Sequence, residues 1–400
     1  MNLVFFALVL VAVVVGGATG VIGDVGNAAL AGAKTSVELS ISLAGAMALF
    51  LGLMKILEEA GGIALLSRAV RPVMVRLFPD VPADHPAMGA MILNIAANVL
   101  GLGNAATPFG VKAMAELETL NKRPGVATNA MVLFLAINTS GVAVFPKDVI
   151  ALRAAAGAAS PASVLVPTLV ASAINTVFAV LAAKVFSRLV DPEPSVTFPR
   201  EERWTDLLFP AVLLAAFGAL VGVVARYGAL ASDWIVPCLI ASILAIGLAR
   251  GVKVYEVFVE GAREGLTTAI RIVPYLVAIL SAVGMFRASS AMAWVETTLG
   301  PVARAVGMPP EVLPLALLRP LSGSGALALT GELTKTHGPD SFIAQVAGTM
   351  MGTTETTFYV LAVYFGAVGV TRARHAVPTG IVADLSGVIA AVAVCRWLLA

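Results

Sequence analysis

The feature that most constrains the fold is a series of nine apolar runs, each near the length that a helix needs to cross a bilayer. A span takes roughly 20 consecutive apolar residues. In chain order the runs cover residues 3–22, 37–57, 127–146, 164–187, 207–225, 233–249, 268–286, 341–366 and 377–395. Since 59% of the residues are hydrophobic and only 12% are charged, the sequence predicts an all-α integral membrane protein with about nine transmembrane helices.

The first run has two interpretations, a cleaved secretory signal peptide or a retained membrane helix. Signal peptides normally carry basic residues ahead of their apolar core. The chain begins MNLVFF, without such a residue. We therefore expect a retained helix.

Several kinds of chemistry lack their sequence signatures. Cys238 and Cys395 lie in separate apolar runs, and the three histidines are far apart. Neither a disulfide framework nor a metal-ligand pattern follows. We find no phosphate-binding loop, no nucleic-acid motif and no nucleophile with a partner base. The expectation is a protein that is not an enzyme, with no metal, no cofactor and no nucleic-acid partner.

The chain divides into two halves at a break in composition. Residues 191–206, DPEPSVTFPREERWTD, combine three prolines with a cluster of charges, which predicts a cytoplasmic linker between domains at 1–190 and 207–400. GAKTSVELSISLAGAM from Gly32 resembles GAREGLTTAIRIVPYL from Gly261, and VPTLVASAIN from Val166 resembles VPTGIVADLS from Val377. Apolar helices resemble one another by chance, but the shared order of these elements favours an internal repeat.

The middle of each half holds a polar, glycine-rich centre between two apolar arms. The first is MILNIAANVLGLGNAATPFGVKAM, in which the glycines and Pro108 are expected to make a turn, and the second is LPLALLRPLSGSGALALTGEL. Glycine and proline weaken a continuous helix, and backbone groups freed in a bilayer need new partners. Each segment therefore crosses as a broken helix or enters and returns as a re-entrant hairpin.

The distribution of basic residues chooses between these topologies. With a cytoplasmic N-terminus and two hairpins, about twice as many lysines and arginines lie inside as outside. Two full crossings remove that bias. Hairpins are therefore expected, and they make the halves inverted repeats, an architecture of many secondary transporters. Two further segments, 56–78 and the one that begins at Met292, are expected to be interfacial helices.

Longer motifs resemble two known families. NIAANVLGLGNAATPFGVKAM and FLAINTSGVAVFPKDVIALRA resemble the spore maturation protein A family. VYEVFVEGAREGLTTAIRIVPYLVAILSAVGMFR, RPLSGSGA and MGTTETTFYVLAVYFGAVGV resemble the spore maturation protein B family. Together they cover nearly the whole chain, so it looks like a fusion of the two. The resemblance places it in the nucleoside-recognition, or Gate, group, related to concentrative nucleoside transporters, and implies membrane transport.

Ionisable side chains within apolar runs give the first candidate site residues, because charge at membrane depth is costly. Glu355, in GTTETTF near the middle of run 341–366, would bind a cationic group, a proton or a sodium ion, or would lock helix packing as a neutral acid. Arg319, three residues before Ser322 in the second hairpin, would serve as a counter-charge, recognise a substrate carboxylate or orient the hairpin through backbone carbonyls. Asp384 matches Ala173 in the repeat, so its charge is not a repeat requirement.

Uncharged polar residues near both centres complete the expected solute site, and those of AINTSGVAVFP mark an expected helix break before Pro146. Free amides at the half-helix starts favour anionic groups. The residues expected to bind the solute are Asn94, Asn98, Gly103, Asn104, Thr107, Asn138, Thr139, Ser140, Arg319, Ser322, Gly323, Ser324, Thr353, Thr354, Glu355 and Thr356. For ion coupling the candidates are Glu355, Asp384, Asn175 and Ser386, the last two being a matched polar pair that would otherwise only join helices.

The sequence thus favours a secondary transporter of a small polar solute, coupled to Na⁺ or H⁺, that works by alternating access around the two hairpins. The alternative is a membrane accessory or signalling protein whose polar centre is structural. In either case the expected location is the bacterial cytoplasmic membrane, with the lipid bilayer as the surrounding partner. The sequence is compatible with a homo-oligomer.

Overall fold

The structure, a computed structural model, describes residues 2–100, 103–141, 146–189 and 229–399, with scattered residues between 211 and 226. Within these ranges every regular element is helical. The helices are α1 (Asn2–Thr19), α2 (Ile22–Glu59), α3 (Gly62–Leu77), α4 (Pro86–Val99), α5 (Gly103–Glu118), α6 (Asn129–Thr139), α7 (Lys147–Ala155), α8 (Leu165–Leu189), α9 (Ala229–Ala249), α10 (Val254–Ala288), α11 (Ala291–Ala305), α12 (Leu313–Leu318), α13 (Gly323–His337), α14 (Phe342–Thr353), α15 (Thr357–Ala367) and α16 (Ala376–Leu399).

Most of the apolar runs lie along single helices. These runs are 3–22, 37–57, 164–187, 233–249, 268–286 and 377–395, along α1, α2, α8, α9, α10 and α16. The segments expected at the interface form α3 and α11. The linker expected at 191–206 lies outside the described residues, as does much of run 207–225.

Long apolar helices make the fold compatible with a membrane protein. Among the described residues, Pro161–Leu189 and Ala376–Leu398 are each long and apolar enough to cross a bilayer. A third span is added if Leu276–Ala288 and Ala291–Pro301, which meet at an angle of 76°, form one bent crossing. The all-α fold class is therefore confirmed, and nine spans stay a prediction.

Two apolar runs do not continue as single helices. In run 127–146, α6 ends at Thr139 and α7 begins at Lys147, as the polar AINTSG segment predicts. Run 341–366 was expected to be continuous, but α14 ends at Thr353 and α15 begins at Thr357. We call residues 140–146 the first break, of which 142–145 lie outside the described residues, and residues 354–356 the second break.

The long helices α2 and α10 pack side by side in antiparallel directions. Glycines at the contact let the backbones approach closely. A Cβ added at Gly32 would lie 2.6 Å from the Leu280 carbonyl oxygen, and one added at Gly261 would lie 2.6 Å from that of Leu51. As the residue number rises along α2 it falls along α10, which fixes the antiparallel direction.

Helices α8 and α16 form a second antiparallel pair. Ser386 Oγ in α16 donates to Asn175 Oδ1 in α8 at 2.8 Å. Nearer the other end of α16, Ala390 and Val394 pack on Ala171. The matched polar residues of the two halves are thus direct partners.

Both glycine-rich segments form pairs of neighbouring helices, which we call the first hairpin (α4 and α5) and the second hairpin (α12 and α13). In the first, Asn94 Nδ2 of α4 donates to the Ala106 carbonyl of α5 at 2.8 Å. Pro108 was expected to make the turn, but it lies inside α5. The helix therefore starts earlier than the proline suggested, at Gly103.

Apolar packing surrounds each hairpin. Around the first hairpin the buried side chains include Met91, Ile95, Met114, Phe134 and Phe365. Around the second they include Leu280, Leu315, Leu329, Val346 and Val392. The first cluster joins α4, α5 and α6 to α15. The second joins α12, α13 and α14 to α10 and α16.

The two interrupted runs are joined to each other at one end by Arg153. This guanidinium is fully buried at the end of α7. It donates from Nη2 to Asp340 Oδ1 at 3.0 Å and from Nε to the Pro161 carbonyl at 3.2 Å, and it also bonds the Pro339 carbonyl. Because Asp340 stands two residues before α14, the end of α7 is bound to the start of α14.

A backbone bridge joins the same runs at their opposite ends. The Thr371 and Arg372 amides donate to the Gly125 carbonyl at 2.9 and 3.0 Å, and the Ala127 amide donates to the Arg372 carbonyl at 3.0 Å. Arg372 follows α15, and Ala127 precedes α6. The interrupted helices are therefore fastened together at both ends.

Candidate functional site

The two breaks cross in direct contact. A Cβ added at Gly141 (φ 66°) would lie 2.5 Å from the Thr353 carbonyl oxygen. Only glycine fits this close approach with a positive φ. The Glu355 amide donates to the Thr139 carbonyl at 3.0 Å. Residues from both halves of the chain therefore meet where backbone groups find hydrogen-bond partners outside their own helix.

Asn175 fastens the crossing from α8. Its Nδ2 donates to the Ser140 carbonyl at 3.2 Å and to the Thr353 carbonyl at 3.1 Å. These carbonyls end α6 and α14, so one buried amide caps the C-termini of both half-helices. Its Oδ1 accepts from Ser386, as described above. Asn175 is thus a structural centre of the crossing, in addition to any role with an ion.

Arg319 holds the second break to the second hairpin. It is only 3% exposed and follows α12 directly. Its Nη1 donates to Thr356 Oγ1 at 3.0 Å, and its Nη2 donates to the Met351 carbonyl at 3.2 Å and to the Thr354 carbonyl. Of the roles expected for Arg319, the structure shows bonding to backbone carbonyls, which places a cation at the C-terminal end of the α14 dipole.

Glu355 is the accessible acid of the crossing. Its side chain is 53% exposed and its Oε2 lies 3.7 Å from Arg319 Nη2. The carboxylate therefore stands at the surface of the second break, rather than within a continuous helix. Since Arg319 is buried and Glu355 is not, Glu355 is the member of this ion pair that is open to a ligand.

Three asparagines of the first half form a network beside the crossing. Asn98 Nδ2 donates to Asn138 Oδ1 at 2.8 Å, and Asn138 Nδ2 donates to the Phe134 carbonyl at 2.9 Å. Asn94 and Asn138 are buried, whereas Asn98 is half-buried. The first hairpin is therefore bound to α6 through amides, with Asn98 left partly accessible.

Tyr364 of α15 completes this network from the other half. Its hydroxyl donates to Asn138 Oδ1 at 3.2 Å and accepts from Asn94 Nδ2 at 3.2 Å. The ring stacks on Phe134 with centroids 5.9 Å apart, and Gly110 of α5 faces the phenol with no side chain between. Sequence reasoning missed Tyr364 and Gly110. The available signal was the hydroxyl of Tyr364 within a largely apolar half-helix, since buried hydroxyls need partners.

Asp384 stands behind the second break. Its side chain is 8% exposed, and its Oδ1 accepts from Thr357 Oγ1 at 2.8 Å. Thr357 is the first residue of α15. A Cβ added at Gly380, one turn earlier in α16, would lie 2.5 Å from Thr357 Cγ2. The α16 face thus lies directly against the start of α15.

Other expected site residues have more local roles. The hydroxyls of Thr139, Ser140 and Thr353 donate to carbonyls within their own helices, and Ser322 caps α13 by accepting from the Gly325 amide at 3.0 Å. Gly323 faces Thr356, Ser324 lies in the first turn of α13 and Thr107 lies in α5. Gly103 and Asn104 belong to the first turn of α5, but the Asn104 side chain lies outside the described part of the structure.

The arrangement combines an accessible acid, a buried cation beside it and a partly accessible amide. Such groups accept and donate hydrogen bonds to hydroxyl, amide or ammonium groups. Among the described residues, no group of three or more His, Cys, Asp or Glu lies close enough together to hold a metal ion. The chemistry offered at the crossing is therefore hydrogen bonding and charge pairing.

Comparison with known proteins identifies the family. Residues 40–192 and 269–371, more than half of the chain, match the Gate family, described as nucleoside recognition. Spore maturation protein B of Bacillus subtilis (strain 168) is 48% identical over 163 residues, 41% of this chain and 92% of that protein. Spore maturation protein A of the same organism is 39% identical over 185 residues, 46% of this chain and 94% of that protein. Each relative covers less than half of the chain. The chain belongs to the Gate, or nucleoside-recognition, family.

Proposed function

We propose that the protein is a secondary transporter of a small polar solute, which binds at the crossing of the two breaks. The observation that carries the proposal is the crossing itself. There Glu355 pairs with Arg319 of the second hairpin, and the Glu355 amide bonds Thr139, which follows the Asn138 that binds Asn98 of the first hairpin. Interrupted helices that meet inside a membrane protein are used by many secondary transporters to bind solutes and ions. Membership of the Gate family points to a transporter-like role in the same way.

Inverted repeats are the proposed basis of its two-sided access. Gly32 and Gly261 begin the matched segments of the two halves, at a separation of 229 residues. Leu51 and Leu280 are separated by the same 229 residues. The close contact of Gly32 with Leu280 therefore has its counterpart in the close contact of Gly261 with Leu51. Such an exchange of contacts is what a pseudo-twofold axis produces. We assign 1–190 and 207–400 to the two repeats and to the protein A-like and protein B-like parts.

The grouping of charges supports the proposed orientation in the bacterial cytoplasmic membrane. In the proposed orientation the outer end of the molecule holds two ion pairs, Lys335 with Glu38 at 3.2 Å and Arg287 with Glu332 at 2.5 Å. Lys55, expected inside, lies among acidic residues near the opposite ends of α2 and α10. This pattern favours a cytoplasmic N-terminus, with the hairpins entering from opposite faces.

The mechanism we propose is alternating access around the crossing. Because α6–α7 and α14–α15 are fastened at both ends and at the breaks, they are expected to move together. The hydrogen bonds between the hairpins and the crossing include Asn98 with Asn138 for the first and Arg319 with Thr356 for the second. Movement of one hairpin at a time would open Glu355 to one side of the membrane, driven by a Na⁺ or H⁺ gradient.

A nucleoside-like solute fits the exposed groups best, with amino acids and small organic anions as the other classes. The Glu355 carboxylate can accept two hydrogen bonds, as from the diol of a ribose, and the Asn98 amide can pair with a base edge. Arg319, though buried, offsets the acid's charge. No enzymatic step, cofactor or nucleic acid enters the proposal, and a homo-oligomer is compatible with it.

The test is counterflow in proteoliposomes, which needs no ion gradient. Vesicles loaded with an unlabelled solute are diluted into labelled uridine, adenosine, glutamate or succinate. We expect one class to accumulate transiently, and we expect Glu355→Gln and Asn98→Ala to lower its rate by about tenfold, the loss of roughly one hydrogen bond to a polar or charged group. Glu256→Gln, at an exposed carboxylate of α10, is the matched control and should transport normally.

The second candidate is a membrane accessory protein of the spore-maturation type. It is favoured by the names of the two relatives. In that case the wild-type protein would show no counterflow with any class of solute, although it is folded and inserted. Counterflow that survives in both Glu355→Gln and Asn98→Ala would reject the crossing as the solute site.

A further inference from the structure

We propose that Asp384 is the proton-binding group that couples this transporter to a pH gradient, acting on the solute site through Thr357 and α15. The inference rests on the proposed function and selects the proton from the two ions that the sequence left open. It rests on the buried position of Asp384 and on the hydrogen bonds that carbonyl oxygens at the crossing already accept from side chains.

Asp384 is a buried carboxylate with few donors. Among the bonds that the structure shows, one neutral hydroxyl, that of Thr357, donates to it at 2.8 Å. A charged carboxylate in an apolar surrounding is costly unless several donors or a close cation offset the charge. A proton removes that cost without rearranging the packing. The site is thus poised to exchange a proton.

The charged groups near Asp384 come from two other elements. Arg319 of the second hairpin attracts it electrostatically, but that guanidinium is hydrogen-bonded to the second break and ion-paired with Glu355 at 3.7 Å. The neighbouring α8 carries no charged residue between Leu165 and Ala183. A shift of Arg319 with its hairpin would therefore change how well Asp384 holds a proton.

Four carbonyl oxygens in the described part of the crossing already accept hydrogen bonds from side chains. Unwound carbonyls at half-helix ends are the usual ligands for a sodium ion. Here Arg319 donates to the Met351 and Thr354 carbonyls. Asn175 donates to the Ser140 and Thr353 carbonyls. The Arg319 guanidinium and the Asn175 amide thus take the place of a bound sodium ion, which favours H⁺ as the coupling ion.

The path from Asp384 to the solute site is short. Thr357 opens α15, and Tyr364, two turns later, bonds Asn94 and Asn138. A carboxylate at the start of a helix is attracted by the helix dipole. Protonation weakens this attraction and the Thr357 bond, so it loosens the hold of α16 on α15. The first half has Ala173 at the matching position, so the coupling belongs to one repeat.

The first experiment detects the proton directly. Infrared difference spectra of purified protein, recorded as the pH is changed, should contain the carbonyl stretch of a protonated carboxylic acid. Asp384→Asn should remove this band. Thr357→Val, which retains the acid but deletes its hydrogen-bond donor, should shift the band's frequency. Asp84→Asn, at a carboxylate with 97% side-chain exposure, should change neither. A spectrum that is the same in Asp384→Asn and wild type would overturn the proposal.

The second experiment measures coupling with the solute identified by counterflow. At zero membrane potential, one unit of pH gradient should give about tenfold accumulation for one proton per solute. The Asp384→Asn protein should reach no accumulation at steady state, whatever its rate. Accumulation driven by Na⁺ instead, or by protons in Asp384→Asn, would reject the inference while leaving the transporter assignment standing. Absence of wild-type counterflow would reject the transporter assignment itself.

Discussion

Replacing Gly110 by alanine should break the contact that joins the first hairpin to the second half of the chain. A Cβ at this position would lie 2.8 Å from Tyr364 Cε1 and still closer to the phenol oxygen. Favourable contacts to carbon begin at about 3.5 Å. Tyr364 is 4% exposed and stacks on Phe134, so its ring has little room to withdraw.

The expected cost follows from three effects. Overpacking of a close-packed site costs about 1 to 3 kcal/mol. Displacement of the phenol breaks its bonds to Asn94 and Asn138, at about 1 kcal/mol each. The higher helix propensity of alanine stabilises the folded protein by about 1 kcal/mol relative to glycine. We therefore expect the Gly110→Ala protein to lose about 2 to 4 kcal/mol of unfolding free energy.

The assay is reversible unfolding in mixed micelles, followed by circular dichroism. Gly89→Ala is the matched control, because Gly89 lies in α4 with nothing within 4 Å of an added Cβ; it should be as stable as wild type or slightly more. Tyr364→Ala combined with Gly110→Ala should cost clearly less than the two changes added together, since the clash is absent. A Gly110→Ala protein as stable as Gly89→Ala would refute the reasoning.

Three other predictions concern the ends of the molecule. Arg153→Lys should lower the unfolding free energy by about 2 to 3 kcal/mol, because a lysine cannot serve all the acceptors around the buried guanidinium; the exposed Arg304→Lys should not. Cysteines introduced as Lys112→Cys and Lys335→Cys should react with an impermeant maleimide from opposite sides of the membrane, and reaction from one side would disprove the inverted hairpins. Burial lowers the pKa of His375 to about 4 from its usual 6.5, so the unfolded chain takes up this proton first and stability should fall as the pH is lowered from about 6.5 to about 4. His375→Gln should flatten this dependence in unfolding assays, and an unchanged slope would contradict it.

Part of this fold could be read from the sequence because the signals are local. Glycine and polar residues in GLGN predicted an interruption between α4 and α5, and AINTSG predicted the end of α6. Repeat matching paired Asn175 with Ser386, and the structure joins them by a hydrogen bond. Each of these depends on residue types within a few positions.

The rest depends on contacts between distant segments. The second break contains neither glycine nor proline, and Arg319 from the second hairpin binds the Thr354 carbonyl within it and the Met351 carbonyl just before it. Nothing local marks that partner. Pro108 suggested a turn, yet it is accommodated in the second turn of α5. Tyr364 reaches the asparagine network only because Gly110 leaves room, a pairing that only the packed structure reveals.

The most direct test of the central claim is the accessibility of the crossing from both faces of the membrane. Glu355→Cys, with Cys238→Ser and Cys395→Ser, would be labelled with an impermeant maleimide in right-side-out and inside-out vesicles. We predict labelling from both faces, with and without the solute that shows counterflow, because the substitution removes the carboxylate that binds it. Labelling from one face only, with or without that solute, would contradict alternating access at the crossing.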